Sequence, residues 1–291
     1  MEKLASIDSL IERASKSFDT GDFRASASSY SRAISLCKNE KSKSCALRLA
    51  RAYNGLGHTL RSQGKFADSK RYQILALERY RAIAKYNQKV LPELAVSLHY
   101  MGDILADYKK MREALKFYTE EFKIAKSLYS RKNSKGLALM VYGLNGMACR
   151  YADLKNTGRA LRLLNQSVRY LNKNAKGRGN KLYPNLSWTY HIIGTTMLKS
   201  GDANGAVKNL KLAAKMRKVI AKDNKRFIAA LKNTLNKLGD AYVAVGNTKE
   251  ADRYFRETIR IVSSATYKKQ VTAQVSSREL RQLKQKISHM Q

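Results

Sequence analysis

This sequence of 291 residues predicts an all-α fold, a solenoid of six helical hairpins with a C-terminal capping helix. Three observations carry that expectation. One spacing recurs along the chain. In its clearest copy Leu235, Leu238, Gly239 and Tyr242 fall at i, i+3, i+4 and i+7, one face of an amphipathic helix. Gly246-Asn247 breaks that helix, and Ala251, Phe255 and Thr258 resume on a second one. The breaks are themselves periodic: Gly21, Gly64, Lys109, Lys155, Gly201 and Gly246 stand 43, 45, 46, 46 and 45 residues apart. Finally, there are only 2 prolines, no window alternates with the period of a strand, and Leu, Ala, Lys and Arg dominate. A hairpin with apolar stripes on both helices cannot bury them alone, so neighbouring copies must stack.

Residues 1–265 hold the six copies. The first, about 7–37, is degenerate, with Ala14 in the small slot and Gly21-Asp22-Phe23 at the turn; end copies are expected to be atypical. Lys38–Ser44 reads as a solvated linker. The second copy, about 50–84, has Tyr53, Leu56, Gly57, Leu60 and Gly64, but places Gln73 in a slot for a large apolar residue. The third, about 95–128, has Leu98, Met101, Gly102, Ala114 and Tyr118, with Glu121 where a small residue is usual. The fourth, about 141–171, is the loosest, and a basic loop at 173–181 follows it. The fifth, about 187–220, and the sixth, about 232–262, restore the pattern with Gly194 and Gly239. Pro92 and Pro184 suit the first turn of a helix, where no backbone donor is needed. Residues 266–291 form one basic helix with Val271, Val275, Leu280, Leu283 and Ile287 in a stripe. Capping of the last hairpin, a partner and a membrane surface compete for that stripe; the absence of Trp and Phe weakens the membrane reading, and the need to cover the last face favours capping.

The spacing resembles the tetratricopeptide repeat, W-x2-L-G-x2-Y followed by A-x3-F. Here Leu235, Leu238, Gly239, Tyr242, Gly246, Ala251 and Phe255 fill those slots, with Leu replacing the opening Trp. The long repeat resembles that of kinesin light chain tetratricopeptide domains. The resemblance covers almost all of residues 7–262 and implies a right-handed superhelical solenoid in which the first helix of each pair lines a concave groove. Its fifth position then faces that groove: Asn54, His99, Asn145, His191 and Asn236, with Ile11 departing in the first copy. The three asparagines match the asparagine ladder that holds an extended peptide by its backbone in such grooves, since Asn both donates and accepts. The two histidines keep one donor and one acceptor when neutral. Their side chains are expected to point to solvent, unsatisfied by neighbouring helices. A solvated face without a ligand remains the competing reading. Arg51, His58 and Arg61 line the same face, as do Asp103, Asp107, Asp153 and Asp240. Tyr142 and Trp188 stand where they could either cradle a ligand side chain or join the core.

With 57 Lys and Arg against 22 Asp and Glu, the net charge is +35. Such an excess attracts polyanions, so nucleic acid, an acidic protein and an anionic surface all stay open as partners. Lys215, Arg217, Lys218, Lys222, Lys225 and Arg226 form the densest basic cluster and are expected on the convex surface or at its edges. Three cysteines without metal-ligand spacing read as free thiols in a reducing compartment, and four scattered histidines suggest no metal site. No phosphate-binding loop, dinucleotide turn or HExxH occurs, so neither an enzyme nor a cofactor is expected. No apolar run approaches the ~20 residues of a membrane span. The acidic N-terminal stretch does not resemble a leader, which favours a cytoplasmic location, or an organelle interior if a leader has been removed. The leading expectation is a scaffold holding an extended segment of another protein, acidic or not; the alternative is an RNA-binding helical-repeat protein.

Overall fold

A computed structural model describes residues 2–38, 43–174, 182–224, 227–268 and 273–290, and every described element is helical. The basic loop at 175–181, most of the 38–44 linker, Lys225, Arg226 and Val271 lie outside the described residues. The chain divides into two compact units, Met1–Arg150 and Tyr151–Gln291.

The first unit contains α1 (Glu2–Asp19), α2 (Phe23–Lys38), α3 (Lys43–Ser62), α4 (Phe66–Ala84), a 3-10 turn (Gln88–Val90), α5 (Leu91–Asp107), α6 (Met111–Ser130) and the start of α7 (Gly136–Asp153). Pairs α1/α2, α3/α4 and α5/α6 pack as hairpins, and α2 and α4 each pack on the helix that follows. The second unit contains the end of α7, then α8 (Thr157–Asn174), α9 (Tyr183–Lys199), α10 (Ala203–Asp223), α11 (Ile228–Ala244), α12 (Thr248–Ser263), the short α13 (Ala265–Lys268) and α14 (Ala273–Ser288). There α9/α10 and α11/α12 are the hairpins, α8 packs on α9, and α14 packs on α12. Leu283 of α14 is buried in the cluster that holds Leu235, Leu238, Tyr242, Phe255 and Tyr267. Fully burying a leucine of this kind contributes about 1.5–3 kcal/mol.

One local device ends the first helix of every pair. Gly21, Gly64, Lys109, Lys155, Gly201 and Gly246 all have φ between 60° and 90°. At Gly64 its own N–H donates to the Arg61 carbonyl and the Lys65 N–H reaches back to Leu60, both at 2.9 Å. The same two bonds recur at the other five turns. They satisfy the last carbonyls of the helix and reverse the chain within two residues. Asp22, Asn156, Asp202 and Asn247 then cap the second helices through their side-chain oxygens.

The recurring spacing of small residues has a direct steric cause. A Cβ built on Gly102 would lie 2.8 Å from the Tyr118 ring, one on Gly194 2.6 Å from Leu210, and one on Gly239 2.5 Å from Phe255. At Gly57 the neighbour is Gln73, at 3.0 Å. In each hairpin the partner helix occupies the volume a side chain would fill. The extra repeat length lies in both helices: first helices run 17–20 residues and second helices 16–21.

Candidate binding groove

In the first unit Asn54 and His99 are held from behind by the second helices. Gln73 Nε2 donates to Asn54 Oδ1 at 2.8 Å and also reaches the carbonyl and hydroxyl of Ser97. His99 lies 3.0 Å from Glu121 and 4.0 Å from Asp103. Burial opposes charge on His99, but Glu121 and Asp103 outweigh it and push its pKa up to about 9. Glu121 is fully buried, and burial raises its pKa against the pull of His99, so the two groups form a buried acid–base pair. Asn145 is 0 % exposed.

In the second unit His191 Nδ1 is 3.2 Å from the Thr234 hydroxyl, and Asn236 accepts a 3.0 Å bond from Lys286 of α14. The expectation of a ladder pointing to solvent without internal partners is therefore overturned. The face that carries the fifth position also packs against neighbouring helices, where an unpaired polar group costs about 1–3 kcal/mol. Second helices supply partners for Asn54 and His99, the next first helix supplies Thr234 for His191, and α14 supplies Lys286 for Asn236. The two residues that broke the repeat pattern, Gln73 and Glu121, are the partners of Asn54 and His99.

The charged groove positions are likewise paired. Arg61 bridges Asp103 at 2.9 Å and Asp107 at 2.6 Å, and the Tyr118 hydroxyl donates to Asp103. Arg51 meets Glu93 at 3.1 Å. In the second unit Lys199 meets Asp153, and Lys237 and Lys286 share Asp240. Arg61–Asp107, Asp153–Lys199 and Asp240–Lys286 each span 46 residues. Opposite charges one repeat apart were the sequence signal for these pairs.

Between α1, α3 and α5 the first unit opens a cavity of about 370 Å³. Phe18, Tyr30, Tyr80 and Tyr100 line it together with Asn54, whose amide nitrogen has no partner among the described residues. The His58 ring stacks on Tyr100 at 4.1 Å and against Phe18 at 4.6 Å. Burial, then Arg61, drives its pKa down to about 4, so it is neutral, and its buried Nδ1 lacks a hydrogen-bond partner. Tyr142 stays 37 % exposed with its ring 5.7 Å from His99, while Trp188 is half-buried. Among the described residues no group of acids, histidines and cysteines could hold a metal, and no helix is long and apolar enough to cross a membrane.

The basic cluster is only partly a surface. Lys215 and Lys222 are exposed, and Lys218 pairs with Glu257 at 2.7 Å. Arg217, expected on the convex face, is instead 5 % exposed. Its long stem follows the packed face of α10, and its guanidinium donates to Thr234 and to the Ala230 carbonyl.

A family model described as tetratricopeptide repeat matches residues 49–87 and 233–262. With the helix pairing and the glycine contacts, these matches show tetratricopeptide repeats within an all-α fold of helical hairpins. Among solved structures it is similar to BtubC (BKLC) from P. vanneervenii, at 17% identity over 82% of this chain and 90% of that one, with a TM-score of 0.63. A Rap protein complexed with Competence and Sporulation Factor gives 12% identity, coverage of 97% and 75%, and a TM-score of 0.61. Nearly identical TPR-like repeats assigned to a kinesin light chain of Podosopora anserina give 19%, 74% and 95%, and 0.52. At these identities the likeness is one of fold. No curated protein matches the chain in sequence.

Proposed function

We propose that this chain is a non-enzymatic scaffold that holds an extended segment of another protein against its first helices. The observation that carries this reading is the cavity of about 370 Å³, a preformed aromatic pocket with a few polar groups on that face. Asn54 offers an amide donor there, and exposed Tyr142 offers a ring for stacking. The buried rung Asn145 holds the groove floor of the first unit in place, while Arg51, Asn54, His58, Arg61 and Tyr142 of that unit meet the ligand. The complexed Rap protein has the same fold, which is consistent with this use of it.

A second reading, RNA binding, is favoured by exposed Lys215 and Lys222, which have no acidic partner among the described residues, and by the +35 charge. A salt-titrated pull-down with and without nuclease separates the two. Under the scaffold reading the partner survives nuclease, and Asn54→Ala/Tyr142→Ala weakens it about tenfold or more, or ~1.4 kcal/mol. Retention that vanishes with nuclease and ignores the double variant would transfer function to the basic surface.

A further inference from the structure

The second and third hairpins break the capping rule of the other four. Asp22, Asn156, Asp202 and Asn247 cap their second helices, but Lys65 before α4 and Lys110 before α6 make no side-chain cap. An Asp or Asn in that position stabilises a helix, whereas a cation beside the positive end of the helix dipole does the opposite. Fold stability therefore accounts for neither lysine.

The lysines belong to a larger set. Lys65, Asp68, Arg71 and Tyr72 recur 45 residues on as Lys110, Glu113, Lys116 and Phe117. In both copies the cations are exposed and the ring is half-buried. The sixth hairpin has the same acid, cation and ring, Glu250, Arg253 and Tyr254, behind its capping Asn247. The lysine is thus what sets the second and third hairpins apart.

Lys65, Arg71 and Tyr72 line a cavity of about 540 Å³ between α2 and α4, floored by buried Leu56 and Leu60 of α3. Arg24, Ser28 and Ser31 of α2 form its other wall, and neither serine hydroxyl is bonded among the described residues. Arg24 and Lys65 have no acidic partner among the described residues. Asp68, the one acid in the lining, lies 3.5 Å from Arg71, and with side chains 55 % and 65 % exposed that pair is weak. The Arg71 guanidinium stands 4.9 Å from the Tyr72 ring. Three cations against one loosely held acid suit an anion. The apolar floor and the ring suit a flat group carried beside it. In the third hairpin Tyr108 takes the place of Gln63 in this lining, 42 % exposed and with Lys70 Nζ 5.7 Å from its ring. A site that repeats cation and ring from one hairpin to the next suits a ligand that repeats phosphate and base.

We propose that the cavity between α2 and α4, continued by the matching positions of the third hairpin, binds single-stranded nucleic acid. Arg24, Lys65 and Arg71 hold backbone phosphates, and a base enters over Leu60 to stack on Tyr72. A phosphorylated protein segment would satisfy the cations but leave the ring and the apolar floor unused. The site does not rest on the groove reading, because the two cavities share no lining residue. It is also separate from Lys215 and Lys222, which lie in the second unit.

Fluorescence anisotropy on the full chain tests this with labelled oligouridylate and oligothymidylate dodecamers, which separate RNA from DNA as the source. An abasic dodecamer and the peptide acetyl-Ala-phosphoSer-Ala-amide, each carrying the same dye, complete the set. At least one base-bearing dodecamer should bind more tightly than the abasic one. Arg24→Gln/Lys65→Asn should weaken it about tenfold or more and lower its salt slope by about 1.4, two single-strand phosphate contacts at ~0.7 each. Lys65→Asn also supplies the missing cap, so the same variant should resist urea better, which separates lost binding from lost structure. Tyr72→Leu should weaken the base-bearing strand about tenfold and leave the abasic one unchanged. An abasic strand held as tightly as the others would overturn the stacking and the proposal with it. A phosphoserine peptide that matches the dodecamers would reassign the cavity to a phosphorylated protein. Binding lost with Lys215→Gln/Lys222→Gln but kept by Arg24→Gln/Lys65→Asn would sink this site and leave nucleic acid to the second unit. Protein capture lost with Asn54→Ala/Tyr142→Ala but kept by Arg24→Gln/Lys65→Asn reports on the groove alone, so either reading can fail by itself.

Discussion

Lys109 and Lys155 hold the left-handed turn conformation, both at φ 60°, that Gly21, Gly64, Gly201 and Gly246 adopt without a Cβ. Every turn makes the same pair of backbone bonds, so the lysines carry strain their counterparts do not. Lys109→Gly should therefore stabilise the protein by about 1 kcal/mol, the scale of the left-handed penalty less the greater unfolded-state freedom of glycine. Urea denaturation reads this directly; an unchanged or lower midpoint would mean the lysine stem contributes packing that outweighs the strain. The reverse experiment lies within the helices. Gly239→Ala puts a Cβ 2.5 Å from the Phe255 ring, and the ring cannot retreat from a filled core. The cost should be about 1–3 kcal/mol, well above the small gain in helix propensity.

At the scale of packed helices the telling pair is His99 on α5 with Glu121 on α6. Glu121→Ala alone strands a buried imidazole whose charge Glu121 had stabilised, and should cost about 3–5 kcal/mol. His99→Asn combined with Glu121→Ala restores the ordinary residues of the repeat and should cost less than Glu121→Ala by itself. A double variant as unstable as the sum of its singles would show that the two groups are not coupled.

The pair also sets a pH signature. The folded pKa of His99 is raised to about 9 from 6.5, so its stabilisation is complete below pH 6.5 and is lost as pH climbs through 9. His58 and His191 act in the opposite sense, with folded values lowered to about 4 and about 3. Below pH 6.5 the unfolded chain binds protons that these folded rings refuse, so stability falls as pH drops toward those values. Thermal melts from pH 4 to 9 should show loss at both ends. His99→Gln should flatten the alkaline limb alone.

Over the whole molecule, 22 acids cannot neutralise 57 basic residues, and +35 remains after every possible pair is made. Self-repulsion of that excess outweighs the exposed ion pairs, each of which contributes at most about 1 kcal/mol. Raising ionic strength from ~0.05 to ~0.5 M shortens the screening length from roughly 14 to 4 Å and should raise Tm by several degrees. A falling Tm would mean that the ion pairs, not repulsion, dominate the electrostatics. The same titration without nucleic acid supplies the baseline for any polyanion effect.

The sequence alone determined the fold class because its signals are local and repeated. A glycine where two backbones touch, an apolar stripe at helical spacing and a left-handed turn each leave a mark within one repeat. Their recurrence at 43–46 residues fixed the order of the hairpins. It also fixed which residues share the fifth position of the first helices. What these residues touch was decided by tertiary structure. Asn54 and His99 were legible as a set, yet their partners Gln73 and Glu121 lie 19 and 22 residues on, across a turn, on the other helix. In the sequence those partners registered only as departures from a pattern. Arg217 shows the same limit. Among its basic neighbours it reads as surface, but the angle at which it leaves α10 sends its stem inward to Thr234. Periodicity assigns a residue to a face; whether that face meets water or another helix depends on how far neighbouring pairs overlap, which no single repeat encodes.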